Sequence, residues 1–229
     1  LEDGAPYLAQ EYVAAESLDI AMRHYTPADS ETALPVIAPL AEAIDAAHER
    51  GIVHGSLHLR DVFVTPTNAQ TTGFGVIRAL ETVGFRGPIR RPYTAPEQIA
   101  GRTWGPAADR FALAAIAYEL LTGKRAAGTG AQVSERLDAV RGVDDQGAFQ
   151  TTFITGLADA PEKRYATGGE FVSYLRQALG FEPAPPRPTI AIPDLLAELE
   201  HPPQGSRAEQ INLKTASAVT TKHGPTTRT

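Results

Sequence analysis

The stretch from Ala107 to Leu121, "AADRFALAAIAYELL", is apolar on nearly every face that a helix would present. A surface helix shows one apolar stripe to a core and polar residues to water, so a helix that is apolar all round must be enclosed by the rest of the fold. Thr122 and Gly123 follow as an end signal. The chain is therefore expected to wrap other elements around this segment and to use it as the centre of a mostly helical domain.

The rest of the chain can supply that enclosure. It has 229 residues, 42% of them hydrophobic, which suffices for one sizeable core. The formal charge of -6 argues against a nucleic-acid surface, since a polyanion gains nothing by approaching a net-negative chain. Cysteine is absent, which excludes thiolate metal sites, redox motifs and a disulfide scaffold. The longest apolar stretch, Phe111 to Leu121, carries Glu119 and is too short to span a bilayer. With no charged-then-apolar leader pattern either, a cytoplasmic location is the expectation, although an anchor outside this segment is compatible with it. The first residue is Leu1 and the chain opens directly in "APYLAQEYV", so it reads as a segment of a longer polypeptide.

Local patterns outline the remaining elements. Tyr7 to Val13 read as a strand, and a polar stretch containing Pro27 separates it from a helix with Leu34, Ile37, Leu40, Ala41, Ile44 and Ala47 at three- and four-residue spacing, ended by Gly51. "VFV" and "AQTTGF" flank the turn signal "TPTN" as a hairpin. A loop rich in glycine, proline and arginine is expected from Gly75 to Pro96, and two or three further helices between Ser134 and Leu179. Eight of the 18 prolines fall after Phe181, in a threonine-rich composition that cannot bury enough apolar surface to fold alone. A linker is expected there, with Asp194 to Glu200 as a transient short helix.

Between the first helix and the hairpin lies a polar knot, "HGSLHLRDVFV" from His54 to Val64. Taken in order, "HERGIVHG", this knot, "GFG", "YTAPEQ", "DRFALAAIAYELLTG" and "PEKRY" resemble the C-terminal lobe of the eukaryotic-like protein kinases, especially the bacterial Ser/Thr kinases, over roughly Pro6 to Leu179. An ordered series of motifs is far more specific than any one of them. The resemblance implies a mainly α protein-kinase-like C-lobe: a helical bundle around a buried central helix with a small hairpin. Residues 1–13 would be the last strand of the N-terminal lobe and the hinge, 14–180 the C-lobe, and 181–229 a Pro/Thr-rich linker or disordered tail.

The family's catalytic loop, His-Arg-Asp-Leu-Lys-Pro-Glu-Asn, aligns with His54 through Asp61, and only His54 and Leu57 match. By that resemblance Ser56 stands in place of the aspartate that accepts the substrate hydroxyl's proton, a task for which a neutral hydroxyl lacks basicity. His58 replaces the lysine that steadies the transferred phosphoryl group, and Asp61 replaces a metal-binding asparagine. Gly73 stands where Asp-Phe-Gly supplies the other magnesium ligand, and Arg90 falls on the threonine of Gly-Thr-x-x-Tyr. Asp61, a hard oxygen donor, is the one weak metal candidate that remains.

Other positions match structural ones of the family. His54 and Phe74 correspond to the spine under the nucleotide, Asp109 to the carboxylate that holds the loop's backbone, and Glu97 with Arg164 to a buried ion pair. Gln10, Glu11, Tyr12 and Val13 align with the gatekeeper and the hinge that meets adenine, while Phe63 takes the place of a smaller residue beneath it. The family's glycine-rich loop and strand lysine belong to the N-terminal lobe and are not in this chain. ATP and magnesium are therefore expected only where that lobe is supplied.

Retained supports beside lost chemistry resemble a pseudokinase, a catalytically inactive domain acting on protein partners as a signalling scaffold or allosteric module. The alternative is an atypical ATP-dependent Ser/Thr kinase that uses Asp61 and an upstream lobe. A third reading is a truncated copy whose exposed interlobe face prevents an autonomous fold. Other chemistries weighed on the same residues are a zinc site of His48, His54, His58 and Asp61, and a Ser56 nucleophile. Against zinc, His48 is read as a helix-surface residue and His54 as a core one. Arg78, Arg86, Arg90 and Arg91 could dock a phosphate or an acidic partner, or simply be solvated, and "PAPPRP" could be a ligand for a proline-binding module or a spacer.

Overall fold

The computed structural model describes residues 12–65, 68–134 and 143–182. The chain divides into two compact units, residues 1–184 and 185–229, the second lying wholly outside the described residues. The expected linker from residue 181 onward, with its short helix and "PAPPRP", therefore lies outside them beyond Glu182, as do residues 7–11 of the expected first strand.

Three strands form one antiparallel sheet: β1 (Glu16–Ser17), β2 (Val62–Val64) and β3 (Ala69–Thr71). β2 and β3 are the hairpin anticipated around "TPTN", with Val62 opposite Thr71 and Val64 opposite Ala69. The sheet is larger than that hairpin, because β1 pairs with the other edge of β2, Glu16 opposite Val64 and Ser17 opposite Phe63.

The helices are α1 (Leu18–Tyr25), α2 (Ser30–His48), α3 (Val76–Thr82), α4 (Pro96–Ile99), α5 (Pro106–Thr122), α6 (Ala131–Ser134), α7 (Gln146–Gly156) and α8 (Gly168–Ala178). α5 is the segment that is apolar all round, and Phe111 through Tyr118, with Leu120 and Leu121, are buried without interruption. α2, α7 and α8 all pack on it, and α8 also packs on both α2 and α7. α2 buries Ala33, Leu34, Ile37, Leu40, Ala41 and Ile44 although Pro35 and Pro39 each remove a backbone donor from its ladder. Fully burying a Leu or Ile side chain contributes about 1.5–3 kcal/mol, enough for this face to override the two prolines.

Caps fix where the helices begin and how they meet. Asp29 Oδ1 accepts from the Thr32 amide at 2.8 Å, and Asp145 Oδ1 from Ala148 at 2.9 Å. The amides of Gly168 and Gly169 donate to the two oxygens of Asp45 at 2.8 Å each, which ties the start of α8 to the side of α2. Phe149, Phe153 and Phe171 form an edge-to-face chain between α7 and α8, with ring centroids 5.0 and 5.9 Å apart.

Two elements depart from the sequence-based expectation. α1 lies within the stretch assigned as polar, and its short apolar face of Leu18, Ala21 and Met22 is buried. The segment from Gly75 to Pro96 is not all loop: α3 opens it, with Ile77 as its single buried residue. Tyr12 and Val13, read as the end of a strand, have no regular secondary structure.

Candidate functional site

The polar knot is organised by one carboxylate. Asp109, in the first turn of α5, is buried, and its Oδ1 accepts the amide of Gly55 at 2.7 Å while Oδ2 accepts the amide of His54 at 2.8 Å. His48 at the end of α2 brings Nε2 to within 2.8 Å of the same Oδ2. Charge-assisted bonds to a buried carboxylate are among the stronger polar contacts, and all three converge on the start of the loop. His48 is thus not the surface residue anticipated: its side chain is 10% exposed and crosses from α2 to α5.

His54 is buried, with Nε2 at 2.8 Å from the Thr72 carbonyl and Nδ1 accepting the Ser56 amide at 3.4 Å. These partners suit the tautomer that carries its proton on Nε2. Its ring meets Phe74 edge-on, with centroids 5.3 Å apart. Gly73 lies directly before Phe74 with φ +92°, and a Cβ there would sit 3.3 Å from His54 Nε2. A side chain at this position would carry the cost of a left-handed backbone and crowd the histidine.

Gly55 stands where the resembled loop has arginine. Its φ is +78°, and a Cβ would fall 2.3 Å from Cη2 of Trp104. Trp104 is held over the loop by several contacts: its Nε1 donates to Glu81 at 3.1 Å, the Arg78 guanidinium lies 4.0 Å from the ring centroid, and Arg78 Nη2 donates to the Trp104 carbonyl at 2.8 Å. α3 is thereby clamped onto the loop, with Gln98 of α4 donating to the Gly55 carbonyl at 2.7 Å. Sequence reasoning missed Trp104. The one available signal was a lone tryptophan following the "YTAPEQ" motif while glycine replaced a bulky loop residue.

The positions with altered chemistry lie along the same loop. The Ser56 hydroxyl is buried and has no hydrogen-bond partner among the described residues, so no base is in contact with it and a hydrolase arrangement is not assembled. His58 Nδ1 accepts the Arg60 amide at 3.1 Å, and its ring abuts Tyr93 edge-on at 4.7 Å. Burial, reinforced by the nearby Arg90 cation, pushes the His58 pKa down, which favours the neutral ring that this acceptor role requires. Tyr93 in turn hydrogen-bonds through its hydroxyl to Glu119 of α5; burial first, and then that carboxylate, push the phenol's pKa well up.

Asp61 has its carbonyl tied to β3 by the Thr71 hydroxyl and the Thr72 amide, both at 3.0 Å. Its Oδ2 is buried without a hydrogen-bond partner and faces Nη1 of Arg90 at 3.5 Å. Arg90 is itself set by a turn in which its amide donates to Thr94 Oγ1 at 2.7 Å. These residues do not fit magnesium: the single carboxylate is opposed by a guanidinium, and Gly73 has no side chain to add. Among the described residues no group of three or more His, Cys, Asp or Glu side chains could hold a metal ion. His48, His54 and His58 turn to three different partners, which leaves the zinc alternative without a geometry.

Glu97 and Arg164 meet in the interior. The guanidinium donates to both Glu97 oxygens at 2.8 Å, and Arg164 also donates to the carbonyls of Ala158, Ala107 and Asp159. This fully hydrogen-bonded fork ties α4 to the 3-10 turn Pro161–Lys163 that precedes Arg164. Phe63 and Val13 are half-buried, Phe63 pairing in β2 with Gln70 of β3. Gln10 and Glu11, the other hinge candidates, lie outside the described residues.

Comparisons with known proteins bear on the family and the fold. Residues 2–164 match the family model described as the protein kinase domain. The chain is 30% identical over 194 residues to the serine/threonine-protein kinase PknH of Mycobacterium bovis, covering 77% of this chain and 32% of that protein. It is 29% identical over 219 residues to PknA of Mycobacterium tuberculosis, covering 90% and 50% respectively. The chain thus spans about a third to a half of the length of these curated relatives. The crystal structure of the Mycobacterium tuberculosis PknI kinase domain superposes with a TM-score of 0.55 at 24% identity over 73% of this chain and 63% of that one, a likeness of fold. With a family model covering most of its described part, a bacterial Ser/Thr kinase relative over 77% of the chain and the same fold in a solved structure, this chain belongs to the protein kinase domain family, in its bacterial eukaryotic-like Ser/Thr branch.

Proposed function

We propose that this chain is the C-lobe of a kinase-family domain that works by binding protein partners rather than by phosphoryl transfer, as a signalling scaffold or allosteric module. The observation that carries this reading is the pairing of Asp61 with Arg90 while Gly73 offers no second ligand. Phosphoryl transfer depends on metal ions that bridge the β- and γ-phosphates, and here the cation beside the single carboxylate is a side chain. Ser56 in the position of the base adds to it. The remainder of the loop's frame, built on Asp109 and on Glu97 with Arg164, would keep the lobe folded for that binding role. Residues 181–229 would tether it to a neighbouring domain, in a cytoplasmic setting. No helix among the described residues is long and apolar enough to cross a membrane.

One observation favours the second reading, an atypical ATP-dependent Ser/Thr kinase completed by an upstream lobe. Asp61 keeps a carboxylate along the loop, and its Oδ2 is buried without a hydrogen-bond partner among the described residues. The relatives also bear the names of Ser/Thr kinases. Phosphotransfer from ATP, measured with and without magnesium on the full-length gene product, decides between the two. No magnesium-dependent transfer supports the binding lobe, and transfer that disappears in Asp61→Ala supports the enzyme.

A further inference from the structure

A cleft of about 660 Å³ opens between α7 and α8, and none of its lining residues belongs to the polar knot. One wall is the face of α7 that carries Thr151 and Thr155, the other is the face of α8 that carries Glu170, Tyr174 and Gln177, and Tyr165 enters from the turn before α8. Its volume falls within the roughly 300–1,000 Å³ of small-molecule sites. Glu170 and Gln177 stand about 10 Å apart along α8 at the helical rise of about 1.5 Å per residue, the length of two linked pyranose rings.

The cleft pairs one aromatic surface with oxygen acceptors. Tyr174 is 50% exposed, while Tyr165 is buried with its ring centroid 5.3 Å away and the two planes only 32° apart. Tyr165 is held in turn by Phe171 at 5.8 Å, so Tyr174 lies as a backed, half-open platform. The Thr151 hydroxyl donates to the Gly147 carbonyl at 2.9 Å, which leaves its oxygen as an acceptor. Glu170 accepts the Ala166 amide through Oε2 at 2.7 Å and keeps Oε1, and Gln177 adds an exposed amide. Arg164, the one cation among the lining residues, spends all five of its donors on Glu97 and on the carbonyls of Ala158, Ala107 and Asp159.

This lining selects by exclusion. An anion would meet a carboxylate and no available cation. An ammonium ligand is held by aromatic faces that enclose it, whereas these two rings lean on each other, and the Glu170 charge is already shared with the Ala166 amide and the field of Arg110. A purely apolar ligand would strand the acceptors without partners. A pyranose meets every requirement, with a flat C–H face for the ring of Tyr174 and hydroxyl donors around its edge for Thr151, Glu170 and Gln177. We infer that the α7–α8 cleft is a binding site for a neutral saccharide of about two pyranose rings, stacked on Tyr174.

The test is saturation-transfer difference NMR on the full chain, with cellobiose, maltose and diacetylchitobiose as probes and spermidine as the rival ligand. At least one disaccharide is expected to receive saturation at its ring C–H protons, with an affinity indifferent to salt, as befits an uncharged ligand. Tyr174→Ala is expected to lower that affinity about tenfold and Tyr174→Phe to keep it, because the ring rather than its hydroxyl is the platform. Glu170→Gln, which retains an acceptor without the charge, is expected to change it by less than about threefold. Thr151→Val/Gln177→Ala, altered at two exposed side chains, is expected to lower it about fivefold, and carries the test where Tyr174→Ala lowers the melting temperature. Silence from all three disaccharides, binding that survives both Tyr174→Ala and the double variant, equal loss in Tyr174→Ala and Tyr174→Phe, or tighter and salt-sensitive binding of spermidine would overturn the assignment. None of these substitutions touches the polar knot, so the outcome is independent of whether the lobe transfers phosphate.

Discussion

Nη1 of Arg90 lies 3.5 Å from Oδ2 of Asp61, so a guanidinium faces the one carboxylate that remains along the loop. Two residues separated by the hairpin and α3 thereby form an internal ion pair in the region where the resembled family gathers metal ions. The pair is partly exposed, so its own contribution to stability is small, roughly 0–1 kcal/mol. Its consequence is chemical: a divalent cation would have to displace a side-chain cation without help from Gly73. Magnesium at millimolar concentration is therefore expected to leave the melting temperature unchanged, as read by differential scanning fluorimetry, and a clear upward shift that vanishes in Asp61→Ala would count against the pairing.

Gly55 and Trp104 make a second commitment. Replacing Gly55 with arginine, the residue of the resembled loop, puts a Cβ inside the indole and a side chain onto a left-handed backbone. The indole can move only by giving up Glu81 and Arg78, so Gly55→Arg is expected to destabilise the domain by about 1–3 kcal/mol. Urea unfolding measures this, and Gly55→Arg combined with Trp104→Ala should recover part of the loss if the clash with the indole is its source.

The Glu97–Arg164 fork yields the largest single effect. Arg164→Met leaves a buried, uncompensated carboxylate, at an expected cost of about 3–5 kcal/mol. Adding Glu97→Leu removes the orphaned charge and should restore much of that stability. Additive losses in the double variant would show that the two side chains are not coupled in this way.

His58 supplies a pH dependence whose sign follows from its environment. Burial, first, and the Arg90 cation hold its folded pKa below the unfolded value of 6.5. Between the folded and unfolded pKa values the unfolded chain binds more protons, so this contribution to stability is complete above about pH 6.5 and is lost as pH falls below it. Asp61 and Asp19 pull the other way but are outweighed. Melting curves between pH 5 and 7.5 should show a loss on acidification that is smaller in His58→Gln, and an identical loss in both proteins would remove His58 as its source.

What could be read from the sequence divides by physical range. α5 was visible because a helix that is apolar on all sides has only one environment, and α2 and the β2–β3 hairpin because their signals lie within a few residues of each other. The ordered series of motifs assigned Asp109, Glu97 and Arg164 to structural positions of the resembled family, and all three are buried in the structure. α1 was hidden because its buried face has only Leu18, Ala21 and Met22, and α3 because its single buried residue, Ile77, gives no periodicity. β1 is two residues long and exists only through pairing with a strand far along the chain. His48 and Trp104 were misread or missed for one reason: their partners, Asp109 and Gly55, are brought to them by the fold, and no local pattern in either segment announces the contact.

A lobe that works by binding should not transfer phosphate. The most direct measurement is incorporation of labelled γ-phosphate into the protein itself and into a generic protein substrate, using the full-length gene product with ATP in the presence and absence of magnesium. No incorporation above that of an Asp61→Ala control is expected under either condition. Magnesium-dependent incorporation that is abolished by Asp61→Ala would contradict it and would make Asp61 a working metal ligand despite Arg90.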